Sequence, residues 1–102
     1  MRLSSEQLTA IRESTIRYFG DDVQLWLFGS RVRDAEKGGD IDLLIEVQGK
    51  TAAETIACKL NFLRELHKRL GEQKIDVVIR RLNSTTELPI YQIAKQTGVQ
   101  LQ

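Results

Sequence analysis

Apolar residues recur along this chain in two periods. Leu8, Ile11, Thr15 and Phe19 stand at steps of three and four, the spacing of one helix face. Ser4-Ser5-Glu6-Gln7 precedes them, Ser4 with Gln7 fits a capping box, and Gly20 is a natural stop, so a first helix is expected up to Phe19. Val23 to Phe28 reads as a strand with Val23, Leu25 and Leu27 on one face. Ile41 to Val47 is the clearest strand: Ile41, Leu43, Ile45 and Val47 alternate with Asp42, Leu44 and Glu46. Thr51 to Leu70 is the clearest helix, with Ile56, Leu60, Leu63, Leu66 and Leu70 at helical steps and Gly71 at its end. Lys74 to Arg81 is a third strand, with Ile75, Val77 and Ile79 on one face and Asp76 and Val78 on the other. Pro89 suits the start of a last helix, whose short apolar side is Ile90, Ile93 and Ala94 and whose stop is Gly98. Gly29 to Gly39, with three glycines and five charges, is a loop or a short helix between loops. The order α-β-(loop)-β-α-β-α predicts an α/β (α+β) fold, a single mixed sheet with its helices on one face.

The chain has 102 residues, 41% hydrophobic and 28% charged. That is ordinary globular composition and one domain over residues 1–102, long enough to bury roughly 65% of its unfolded surface. The longest strictly apolar run is Leu25-Trp26-Leu27-Phe28, too short for a membrane helix or a signal-peptide core. The single cysteine, Cys58, excludes an internal disulfide and a cysteine-based zinc site. It reads as a small apolar filler, and the lone His67 as surface or packing. Fifteen basic and 14 acidic side chains leave a net charge of +1, which carries no strong signal for nucleic acid. The expectation is a soluble cytoplasmic protein whose function rests on local groups of residues.

Carboxylates form the first such group. Asp40 and Asp42 stand two apart at a strand start, so both project to one face, opposite Ile41 and Leu43. Asp76 is again opposite the aliphatic residues of its strand. If the aliphatic faces share one core, the three aspartates share the other face and converge. Converging carboxylates are stable as anions only beside cations. Hard oxygen ligands at that density suit Mg²⁺, and a pair of such ions is the usual clamp for phosphoryl and nucleotidyl transfer. Asp-x-Asp alone is common in turns; its weight comes from what precedes it. Gly29-Ser30 follows directly on the strand ending at Phe28. Glycine lets the backbone approach a ligand closely, Ser30 can cap a short helix or meet a phosphate, and Arg31 and Arg33 add cations for a triphosphate.

The string GSRVRDAEKGGDIDLLIEV, residues 29–47, with KIDVVI at 74–79, resembles the nucleotidyltransferase superfamily typified by DNA polymerase beta. More closely it resembles the minimal nucleotidyltransferases of prokaryotes. The resemblance implies that Gly29 and Ser30 hold the β- and γ-phosphates of a nucleoside triphosphate. Asp40 and Asp42 would bind two Mg²⁺ ions, and Asp76 would help bind one and activate the attacking hydroxyl. Arg31 matches an arginine common after Gly-Ser in the minimal forms. Departures are the nine residues between Ser30 and Asp40, Asp34 where glycine is frequent, and Gly39 where serine usually precedes the first aspartate.

With about twenty residues after the third strand, no acceptor-binding domain is expected within these residues. The resemblance then implies a protein acceptor: a helical HEPN-type partner in a toxin–antitoxin pair, modified with AMP from ATP. A catalytically decayed binding module and a small-molecule nucleotidyltransferase working as a homodimer are the alternatives. Trp26 and Phe28 are expected in a core on the sheet's second face or beneath the loop, in preference to stacking on a base. Glu46 is some 13 Å from Asp42 along the strand, too far to share an ion. Arg80 and Arg81 read as a solvated strand end or a contact to a phosphate or partner.

Overall fold

The computed structural model describes residues 1–33 and 39–102. Helix α1 spans Ser5–Phe19, strand β1 Gln24–Phe28, a single 3₁₀ turn Gly29–Val32, β2 Ile41–Val47, α2 Ala52–Leu70, β3 Ile75–Arg81, α3 Pro89–Thr97 and β4 Val99–Gln100. Asp34, which departs from the family pattern, lies outside the described residues.

Both long helices begin with reciprocal caps. The Gln7 amide donates to Ser4 Oγ at 3.0 Å while the Ser4 amide donates to Gln7 Oε1 at 2.9 Å. Thr51 and Glu54 repeat the device on α2, at 3.1 and 2.8 Å. Hydrogen bonding from Thr51 holds the Glu54 carboxyl below its ordinary pKa. A carboxylate whose folded pKa is lowered contributes at neutral pH and loses its contribution as pH falls through that lowered value. Thr51→Ala is expected to cost about 1 kcal/mol, read as a lower urea midpoint at unchanged m-value.

The sheet order is β3-β2-β1-β4. β1 runs antiparallel to β2 and to β4, and β2 runs parallel to β3 through the α2 crossover. The mixed sheet and three helices match the expected α/β class. One face is the main core: Leu25, Leu27, Ile41, Leu43, Ile45, Val47, Ile75 and Val77 meet Ala10, Ile11 and Phe19 of α1 and Phe62 and Leu66 of α2. Phe19 and Phe62 pack edge to face with centroids 5.5 Å apart.

Placement of α3 departs from the expected one-sided packing. Its Tyr91 and Ala94 cover Trp26, Phe28 and Leu44 on the opposite face. Those three side chains are large and apolar on a face that a one-sided sheet would leave in water, and α3 removes them from it. Two apolar stripes also shift. In α2 the buried side is Thr55, Phe62 and Leu66, whereas Ile56 and Leu60 are exposed. In α3, Ile93 is half exposed and Tyr91 takes its place inside. Cys58 packs partly buried against the core, as a filler should, and His67 is exposed. Among the described residues no helix is long and apolar enough to cross a membrane.

Candidate active site

Parallel pairing decides which carboxylates meet. In the β2–β3 register Asp42 stands level with Asp76, and in the β1–β2 register Phe28 stands level with Asp42. The strand ending at Phe28 therefore delivers Gly29 to the Asp42 side chain. Gly29 has φ +78°, and a Cβ there would collide with Asp42 Oδ2. Only glycine fits both the backbone conformation and the space. Gly39 repeats the logic: φ is +93°, and a Cβ would collide with Ser30 Oγ. Glycine in place of the family's usual serine thus leaves the Ser30 hydroxyl its room.

The electrostatics follow from this crowding. Partial burial pushes the Asp42 carboxyl above the ordinary carboxylate range, the charges of Asp76 and Asp40 push it further, and a hydrogen bond with Asp76 adds to the shift. Lys74 opposes them. Its Nζ lies 3.4 Å from Asp40 Oδ2, two residues before Asp76 on the same strand path. Asp42 and Asp76 are therefore brought together, with Asp40 close enough to be felt but paired to Lys74 at the rim. Among the described residues no three His, Cys, Asp or Glu side chains form a metal-holding group. The donor chemistry still suits a hard cation: all three candidates are carboxylates, and the central one resists ionisation because it is partly buried and faces two like charges that Lys74 only partly offsets.

The loop carrying Gly29 and Ser30 is braced from behind. The Arg31 guanidinium donates from Nη1 to the Arg2 carbonyl at 2.9 Å, from Nη2 to Gln73 Oε1 at 3.1 Å and from Nε to the Gly39 carbonyl at 3.2 Å. That engages three of its five donors. Arg2 returns the contact, donating from Nη2 to the Ser30 carbonyl and from Nε to the Arg33 carbonyl, both at 2.9 Å. Its backbone N–H reaches the Arg31 carbonyl at 2.6 Å. Arg2 and Gln73 carry no motif signal, because their roles exist only once distant segments meet. Lys74 could have been found from its same-face spacing to Asp76.

Glu46 lies farther along the Asp42 face and is 3% exposed. Arg80 Nη1 donates to it at 2.7 Å and Lys95 Nζ at 3.4 Å. The hydrogen bond to Glu46 raises the Arg80 pKa further above its ordinary value. Arg80 also pairs with Glu87 at 2.6 Å. Arg80 lies over Tyr91 and Lys95 over Trp26, at 5.5 and 5.0 Å from the ring centroids. Arg80 is thus not a bare solvated strand end; it and Lys95 join α3 to the sheet through one buried carboxylate.

A mixed sheet that sets two strand aspartates level beside a Gly-Ser turn is the framework of a nucleotidyltransferase domain. The family model described as Polymerase beta, Nucleotidyltransferase matches residues 13–101. The chain belongs to that family, which places it among transferases acting on nucleotides. No curated protein matches the sequence.

Proposed function

We propose that this protein transfers a nucleoside monophosphate, AMP from ATP, to a hydroxyl group on a partner protein. The observation that supports this reading above all is the level pair Asp42–Asp76 with Gly29 packed against Asp42. In this reading Gly29 and Ser30 receive the terminal phosphates at the mouth of the acidic site. Arg33 adds positive charge near that turn, and Arg31 holds the turn in place from behind. Asp40, Asp42 and Asp76 would hold Mg²⁺, which when bound neutralises phosphate charge and polarises the α-phosphoryl group.

The protein's own residues then have defined tasks. The acceptor hydroxyl oxygen forms a bond to the α-phosphorus as the bond to the bridging oxygen of pyrophosphate breaks. Asp76 takes the hydroxyl proton, and the departing pyrophosphate carries away the electron pair of the broken bond. Asp42, packed against Gly29, would supply a carboxylate to the cation and so set the acidic centre next to the turn that holds the terminal phosphates. Resemblance to the minimal nucleotidyltransferases supports a helical HEPN-type toxin as acceptor, with this chain as its antitoxin in the cytoplasm.

The test is incubation of the purified chain with α-labelled ATP, Mg²⁺ and such a partner. Label on the partner, with matching pyrophosphate release, is expected. Nucleotide binding without pyrophosphate release would instead favour a decayed binding module, and transfer to a small molecule would favour the dimeric alternative.

A further inference from the structure

Between the Gly-Ser turn and α3 lies a cleft of about 440 Å³, lined by Phe28, Gly29, Val32, Arg33, Ile93 and Thr97. Gly29 borders both this cleft and the acidic site, since the same residue packs against Asp42. Its volume is that of a small-molecule site. Phe28 and Val32 form one wall. Ile93 projects from α3 on the other and is 50% exposed, which leaves apolar surface for a ligand to cover. The α3 wall is fixed to the sheet by Tyr91 and Ala94 and by Lys95 on buried Glu46.

We infer that this cleft takes the nucleobase of the donor nucleotide, gripped by apolar contact between Val32 and Ile93. This rests on the nucleotidyl-transfer reading and adds to it the residues that hold the base. A flat aromatic base suits two aliphatic walls, and the ribose bridges from there to the α-phosphorus beside Asp42. The polar groups of the cleft, among the described residues, do little to read a base edge. The Thr97 hydroxyl donates to its own helix, at the Ile93 carbonyl, 2.7 Å away, and Arg33 carries charge suited to phosphate. Recognition by area with little edge reading means a preference for purines over pyrimidines and weak discrimination between adenine and guanine.

The test compares two probes on the full chain by calorimetry with Mg²⁺: ATP, and inorganic tripolyphosphate, which has the phosphates without the nucleoside. Ile93→Ala removes a half-exposed side chain and leaves the core untouched. ATP affinity is expected to fall about fivefold to tenfold, because the base then buries less apolar surface, while tripolyphosphate affinity stays unchanged. ATP and GTP are expected to bind the unaltered chain within a few-fold of each other, and CTP more weakly. Wild-type tripolyphosphate binding as tight as ATP binding, or ATP affinity indifferent to Ile93→Ala, overturns the base assignment while leaving the phosphate site standing. Unchanged ATP affinity with slowed transfer assigns the cleft to the acceptor and equally overturns it. Binding of neither probe overturns the nucleotidyl-transfer reading itself.

Discussion

Asp42→Asn is expected to make the protein more stable and to abolish nucleotidyl transfer. The two effects share one cause. Asp42 keeps its proton to a higher pH in the folded chain than in the unfolded one, because of partial burial and the charges of Asp76 and Asp40. Between those two pKa values the folded state binds more protons, so stability falls as pH rises through that window. Above it the whole penalty is present; below the ordinary carboxylate pKa it is gone. Asparagine carries no such penalty. Relieving a surface charge conflict is typically worth about 0.5–2 kcal/mol, and solvent screening at this partly open site puts the gain at the low end. Thermal melts at neutral and acidic pH check the sign: the variant should melt higher at pH 7, and its advantage should vanish in acid. Transfer should drop by about 10²–10³-fold, the scale of removing one electrostatic stabiliser from a reaction centre. A variant no more stable at pH 7, or one retaining transfer, contradicts the assigned crowding or the assigned role.

Gly98→Ala is expected to destabilise the protein, against the usual rule for its backbone angles. Gly98 has φ −91°, a conformation alanine adopts freely, so unfolded-state entropy alone would favour the substitution. Its surroundings decide otherwise. A Cβ at this position would strike the carbonyl oxygens of Ala94 and Leu27 and crowd Phe28 Cβ. The two oxygens belong to backbone, one in α3 and one in β1, so neither can rotate aside. Overpacking of this kind costs about 1–3 kcal/mol, or roughly 4–8 °C in Tm for each kcal/mol in a domain this size. Because Gly98 is packed between the end of α3 and β1, the variant should also loosen α3 over Trp26 and Phe28. Faster amide exchange in α3 than in α2 is the accompanying signature. A Tm equal to or above that of the unaltered chain contradicts this packing.

Local chemistry determined much of what this chain becomes. The capping pairs Ser4–Gln7 and Thr51–Glu54 act over three residues, so both long helices were legible from sequence. Alternation in Ile41–Val47 and Ile75–Arg81 placed Asp42 and Asp76 opposite the main core, because the strand period is two whatever the neighbours are. Long-range pairing lay beyond that reach. Strand β4 has two residues and exists only because β1 offers an edge to it. Ile56 and Leu60 fit a helical stripe by spacing, yet α1 and the sheet meet the other side of α2, where Thr55, Phe62 and Leu66 are buried. The side taken by α3 was settled by Trp26, Phe28 and Leu44, which needed cover, and by Glu46, whose buried charge needed Lys95 and Arg80. The parallel register that sets Asp42 level with Asp76, the Arg2–Arg31 brace behind the Gly-Ser turn and the cleft beneath Ile93 likewise arise only from packing. Periodicity and capping are properties of a few consecutive residues, whereas register, facing and enclosure depend on segments that meet only after the chain has folded.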